Sequence, residues 1–210
     1  MTQPSSTFHN EQEAFWAGAF GQEYTERNVV DFHQRMPFFQ QVLQRTLGVT
    51  SVCELGANKG HNLQALAALS PNYQLTGVEI NPAAYQQLRQ LPKIQAHLGS
   101  ILEFSPVQTY DLVFTCGVLI HLNPETLPDV YRQMDALSRR YVLINEYYNP
   151  KPVEIDYRGH GDRLFKRDFA GEFLDTAGVD RYRVVDVGFL WQRCHPAWDN
   201  TTWVLLEKTN

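Results

Sequence analysis

Ser51-Val52-Cys53-Glu54-Leu55-Gly56-Ala57-Asn58-Lys59-Gly60 reads as a short buried strand that runs into a glycine-bearing turn and then a helix. Glu54 sits at the end of that strand, and a second acid, Glu79, closes the next strand 25 residues later. In an open α/β sheet, ligands bind beyond the carboxyl ends of the strands, near the point where strand order reverses. Gly56 is therefore expected to let the backbone approach a ligand, and Gly60 to let the following helix start close to the sheet.

Outward from this stretch the pattern alternates. Strands are expected over 51–55, 74–79, 94–97, 110–116 and 141–146, with helices over 60–69, 82–91 and 124–138. Asn81-Pro82 and Asn123-Pro124 each place a capping residue before a proline at the first helical position. Alternation on this scale argues for right-handed βαβ units and a parallel sheet with helices on both faces. Upstream, 11–28 is expected to be a helix weakened by Gly18 and Gly21, and 30–47 a second one interrupted near Pro37. Downstream, a helix over 168–177 precedes two strands, 182–190 and 201–207, with no helix between them. A helix-free connection requires antiparallel pairing. The expected fold is α/β, a doubly wound Rossmann-like sheet of the class I methyltransferase layout, mostly parallel with a C-terminal antiparallel pair. Residues 1–47 are expected to form an N-terminal helical cap or lid, and 48–210 a single cofactor-binding unit.

The turn, the spaced acids and the antiparallel tail together point to S-adenosylmethionine (SAM). Glu54 would accept hydrogen bonds from the amino-acid end, and Glu79 would take both ribose hydroxyls, since a carboxylate offers two acceptor oxygens. The turn Gly99-Ser100-Ile101 is placed to hold adenine. Asn58 stands where the middle glycine of a nicotinamide fingerprint would be, and asparagine tolerates the left-handed region the turn needs. Gly60, Ile80, Cys116 and Gly117 complete the expected strand-end set. A sulfonium cation benefits from aromatic faces. Tyr147 and Tyr148, just past the fifth strand, are the best placed to give them, while Trp16, Phe20 and Phe189 read as core residues.

The composition bounds the rest. The chain of 210 residues suits one domain, and its net charge of −5 and pI near 5.8 argue against a nucleic-acid partner. Cys53, Cys116 and Cys194 are far apart and fit no metal spacing. Without a signal-like or membrane-length apolar run, the expectation is a cytoplasmic protein with a small-molecule partner. The oligomeric state is not readable.

Several runs resemble the methylases associated with pseudaminic acid biosynthesis, a family of class I SAM-dependent methyltransferases. They include Phe15-Trp16-Ala17-Gly18, Gly21-Gln22-Glu23-Tyr24, Glu54-Leu55-Gly56-Ala57-Asn58 and Gly77-Val78-Glu79-Ile80-Asn81. Further along come Tyr110-Asp111-Leu112-Val113-Phe114, Gly117-Val118-Leu119-Ile120-His121-Leu122-Asn123-Pro124 and Glu146-Tyr147-Tyr148-Asn149-Pro150. Tyr157-Arg158-Gly159-His160 and Leu164-Phe165-Lys166-Arg167-Asp168-Phe169-Ala170-Gly171-Glu172 complete the match, which spans nearly the whole chain. By analogy with related small-molecule methyltransferases, Tyr24 and Arg27 would fold over the cofactor, Arg27 pairing with its carboxylate. His121 is a candidate base or a residue leading into a helix, and Arg158 and His160 are expected to line an acceptor pocket from the long loop 147–166. Asn145 and the run Trp191 to Trp198 depart from the family pattern.

Two reactions fit this reading. The first is methyl transfer to a sugar or secondary-metabolite nitrogen or oxygen, with His121 or His160 as base. The alternative is cyclisation of SAM itself to azetidine-2-carboxylate with release of methylthioadenosine, in which Asn145 would orient the amine and Tyr148 help support the sulfonium.

Overall fold

A computed structural model describes residues 8–157, 159, 161 and 163–209. The expected sheet is present, and its order explains where a ligand can sit. The strands are β1 (Ser51–Leu55), β2 (Gln74–Glu79), β3 (Ile94–Leu98), β4 (Tyr110–Cys116) and β5 (Ser138–Glu146), followed by β8 (Tyr182–Leu190) and β9 (Thr201–Lys208). They form one seven-stranded sheet ordered β3-β2-β1-β4-β5-β9-β8. β1, β2, β3, β4 and β5 pair in parallel, and β9 runs antiparallel to both β5 and β8. The order reverses between β1 and β4, so a crevice opens beyond their carboxyl ends. The only other strands among the described residues are the short β6 (Val153–Glu154) and β7 (Phe165–Lys166), a hairpin inside the loop that sequence alone left unstructured.

Burial follows from this topology. All five residues of β1 are buried because helices cover both of its faces. On one side α6 (Leu127–Leu137) and α7 (Phe169–Ala177) pack a core of Val113, Tyr131, Met134, Val142 and Phe173. The other side is closed by α3 (Met36–Gln44), α4 (His61–Leu69) and α5 (Pro82–Leu88) over Val52, Leu66, Phe114 and Leu205. Helix α6 buries Leu127, Val130, Tyr131, Met134 and Leu137, a stripe at helical spacing.

The N-terminal segment, residues 11–47, departs from the expected two long helices. The first breaks at Gly18 into α1 (Glu11–Ala17) and α2 (Ala19–Arg27). The second becomes a 3-10 turn, Phe32–Arg35, leading into α3 with Pro37 in its first turn. Phe38, Phe39 and Val42 of α3 are buried in the sheet's core. Within the segment expected to form a cap, α3 belongs to the helical layer that closes the sheet. Phe189 was expected in the core but is 57% exposed on β8, the edge strand of the sheet.

Candidate active site

Beyond the carboxyl ends of β1, β2, β4 and β5 lies a cavity of about 530 Å³, roofed by α1 and α2. Its first wall is the turn after β1. Gly56, Asn58 and Gly60 have φ of +79°, +47° and +79°, so the chain passes the strand end through the left-handed region three times. A Cβ on Gly56 would lie 2.5 Å from Val118 Cγ2, and one on Gly60 would lie 2.7 Å from Leu88 Cδ1 and Leu91 Cδ1. Gly60 lets α4 start against the neighbouring βα unit and does not itself line the cavity. Gly56 does line it, and its missing side chain also makes room for the loop after β4.

Two carboxylates stand at the strand ends. Glu79 accepts the Asn58 N–H at 2.7 Å on Oε2 and the Asn81 N–H at 2.7 Å on Oε1. It is thus fixed by backbone donors with lone pairs to spare, and burial raises its pKa. Glu54 is deeper, 1% exposed. Its Oε1 accepts from Asn62 Nδ2 at 2.6 Å, and its Oε2 has no partner. Burial pushes Glu54 up to about 8, against the opposing influence of the Asn62 hydrogen bond and Arg35. A buried acceptor without a donor is costly, so this oxygen marks a place where a ligand N–H would be stabilised.

Arg35 is a site residue that the sequence reading missed. Its Nη1 donates to Asn62 Oδ1 at 2.6 Å, its Nη2 to the Ala197 carbonyl at 3.2 Å, and its guanidinium stacks 4.4 Å from the Trp198 ring centroid. The chain Arg35–Asn62–Glu54 brings a guanidinium and a carboxyl group to one wall. Arg27 also lines the cavity, but its partners are Glu23, one helical turn away at 3.7 Å, and the Phe20 ring. Nothing in the local sequence distinguishes the two arginines, since Arg35 gains its position from the distant segment 197–198. Glu13 is a second residue missed. It comes from α1, is 7% exposed, and accepts the Ser100 hydroxyl hydrogen bond. Ile80, Ser100, Ile101, Cys116 and Gly117 line the same cavity.

The opposite end is mainly aromatic. Trp16 packs 4.4 Å from the His121 ring and 5.3 Å from Tyr24, and His121 lies 5.1 Å from Tyr157. His121 Nδ1 is 2.7 Å from the Arg163 carbonyl. A carbonyl only accepts, so Nδ1 carries the proton and Nε2 keeps its lone pair. Burial drops the His121 pKa to about 4, leaving the ring neutral at physiological pH. Tyr24 is pushed up to about 12, chiefly by burial. Burial, followed by the Asp199 carboxylate, raises Tyr147 still further. Asn145 Nδ2 donates to Cys116 Sγ at 3.2 Å, and its buried Oδ1 has no partner.

Tyr148 does not join this wall. Side chains alternate along an extended chain, so Asn145 and Tyr147 face the cavity while Tyr148 turns to the far side, 49% exposed and bridged to Arg167. Arg158 and His160 lie outside the described residues. The described histidines, cysteines, aspartates and glutamates form no cluster able to hold a metal, and no described helix is long and apolar enough to cross a membrane.

A family model described as a methyltransferase domain matches residues 53–140, the run from β1 into β5. Magnesium protoporphyrin IX methyltransferase from Synechocystis PCC 6803, solved with bound S-adenosylhomocysteine (SAH), superposes with a TM-score of 0.68 at 14% identity, covering 95% of this chain and 100% of that one. The chain has the class I methyltransferase fold. The Burkholderia thailandensis 1,6-didemethyltoxoflavin-N1-methyltransferase, with its namesake compound and SAH bound, gives 0.68 at 15% identity over 95% and 87% of the two chains. A sugar N-methyltransferase from Streptoalloteichus sp. ATCC 53650 gives 0.67 at 14% identity over 100% and 99%. No protein of curated function matches.

Proposed function

We propose that this protein is a SAM-dependent methyltransferase acting on a nitrogen of a small polar molecule, an amino sugar being the favoured class. The observation that carries the reading is the pair of buried strand-end carboxylates, Glu79 held by turn amides and Glu54 with a bare Oε2, on one wall of a single cavity. These residues fit the cofactor. Glu79 has acceptor capacity left for two ribose hydroxyls, Glu54 Oε2 and Asn145 Oδ1 are acceptors for an ammonium, and Arg35 is a planar donor for a carboxylate. Tyr24, Asn58, Ile80, Ser100, Ile101, Cys116 and Gly117 are the further contacts proposed. Bound there, SAM would supply an electrophilic methyl group.

The chain's own residues do the rest. Trp16, Tyr24, Tyr147 and Tyr157 exclude water and present ring faces to positive charge. His121, neutral and fixed in its Nδ1–H form, holds Nε2 ready to receive a proton from the nucleophile. Asp199 gives the acceptor end a carboxylate, which favours an amine. The resemblance of residues 146–172 to methylases associated with pseudaminic acid biosynthesis, and the sugar N-methyltransferase among the structural neighbours, support a sugar acceptor. The deciding experiment incubates the protein with SAM and a panel of amino sugars and reads the products by mass spectrometry. An acceptor heavier by one methyl group, formed together with SAH, is expected. Methylthioadenosine formed together with azetidine-2-carboxylate, without any acceptor and faster than in a Glu79→Ala control, would instead establish self-cyclisation of SAM.

A further inference from the structure

Asn81 uses every polar atom it has. Its N–H donates to Glu79 Oε1 at 2.7 Å. Its Oδ1 caps α5, accepting from Ala83 N at 3.0 Å and Ala84 N at 3.2 Å. Its Nδ2 donates to the carbonyls of Trp16 at 2.9 Å, Gly18 at 3.3 Å and Ala17 at 3.5 Å. Those three carbonyls belong to the last turn of α1 and the joint with α2. The carbonyls of Trp16 and Ala17 are helix-end acceptors of α1, while that of Gly18, the N-cap of α2, also accepts from Gln22 N at 3.2 Å. The joint fits closely over the amide. A Cβ on Gly21 would lie 2.7 Å from Asn81 Nδ2 and 1.8 Å from the Trp16 oxygen. The same Trp16 packs its indole on His121.

We propose that Asn81 is a positioning residue that fastens the α1–α2 joint to the turn of the Glu79 carboxylate, so that the aromatic wall at the acceptor end is set from the ribose end. Among the described residues, the N-terminal segment has further polar ties, but they lie away from the joint: His9 to Glu103 at 3.0 Å and Glu11 to Arg163 at 3.7 Å. Asn58 Nδ2 reaches Thr25 at 3.4 Å, and Ser100 reaches Glu13. Trp16 follows its own carbonyl, and His121 follows Trp16. Occupation of Glu79 by a ligand therefore stiffens the turn that holds the cap. The ligand half of this proposal rests on the SAM reading; the attachment of the cap does not.

Two substitutions test it. Asn81→Ser and Asn81→Asp both keep a side-chain oxygen able to cap α5, and both remove the Nδ2 donor. Hydrogen exchange on the unliganded chain is expected to speed up over residues 11–27 by roughly fivefold, the scale of one or two lost hydrogen bonds, while β1 and β4 exchange as before. SAH, titrated by calorimetry, is expected to bind more weakly by a similar factor in both variants. Unchanged exchange over 11–27, faster exchange in Asn81→Asp alone, or loosening spread across the sheet would each overturn the proposal. Loosened exchange with wild-type SAH affinity would overturn the coupling. If the wild-type chain does not bind SAH at all, the SAM reading fails, and the exchange data alone decide whether Asn81 fastens the cap.

Discussion

On the strand-end side of the cavity, Glu54, Asn58 and Glu79, with Asn81 behind them, come from the tips of two adjacent parallel strands and the turns that leave them. On the aromatic side, Trp16 and Tyr24 come from the first two helices, His121 from the turn after β4, Asn145 and Tyr147 from the end of β5, and Asp199 from the turn before β9. The first end is held by short backbone-to-carboxylate bonds of 2.7 Å. The second is held by ring contacts at 4.4 to 5.3 Å between centroids, together with side chains on loops. The difference teaches where a fold of this kind is rigid and where it is free to vary. A turn that must leave a buried strand permits few geometries, whereas aromatic walls can be rebuilt from different segments without disturbing the sheet.

The largest expected effect lies at the rigid end. Glu79→Ala removes charge-assisted acceptors worth roughly 1.5–3 kcal/mol each and strands the N–H groups of Asn58 and Asn81. SAH affinity by calorimetry should fall about 100-fold, and an unchanged value would remove Glu79 from the site. Next comes His121→Gln. It should cut the methyl-transfer rate by about 100-fold, the lower end of the range of general-base catalysis, while SAH affinity stays within about twofold. If binding and rate fall together, the two ends are not separable in the way described. With burial dropping His121 to about 4, the rate of the wild-type enzyme should show no loss through protonation of this ring near pH 6.5.

Glu54 gives a smaller, pH-dependent effect. Burial raises its pKa from the ordinary 4.5 to about 8, so between those values the folded chain holds a proton that the unfolded chain has released. Stability therefore falls as pH rises through this window. Glu146 shifts the same way, to about 7, because it too is buried. Thermal unfolding of the unliganded Glu54→Gln variant should lose less Tm between pH 5 and pH 8 than the wild type, with a residual slope from Glu146. An equal slope in both proteins would mean that Glu54 is ionised throughout. The smallest effect is reserved for Tyr148→Phe. Its side chain lies off the cavity, so both SAH affinity and turnover should stay within about twofold of wild type. A tenfold loss would place it back in the site.

Much of the architecture was legible because its signals are local. Asn81-Pro82 caps α5 through two backbone N–H groups, and the Glu54 and Glu79 positions follow from strand length alone. The α1–α2 break at Gly18 was also visible as a weakness. The β6–β7 hairpin was not, since each of its strands is two residues long and carries no periodicity. Tyr147 and Tyr148 looked equivalent in sequence, and only the pleat beyond β5 separates them. Phe189 read as core by hydrophobicity, yet edge position is a property of strand order, which no single segment encodes.

The sequence by itself determined the alternation of strands and helices, the glycine- and asparagine-bearing turn after β1 and the spacing of the two acids. Backbone sterics and hydrogen bonding within a few residues suffice for these. Tertiary structure decided which arginine joins Asn62 and Glu54, which tyrosine faces the cavity, and that the Asn81 amide meets the α1–α2 joint. Each of these depends on contacts between segments far apart in the chain, and packing brings them together only after the local elements have formed.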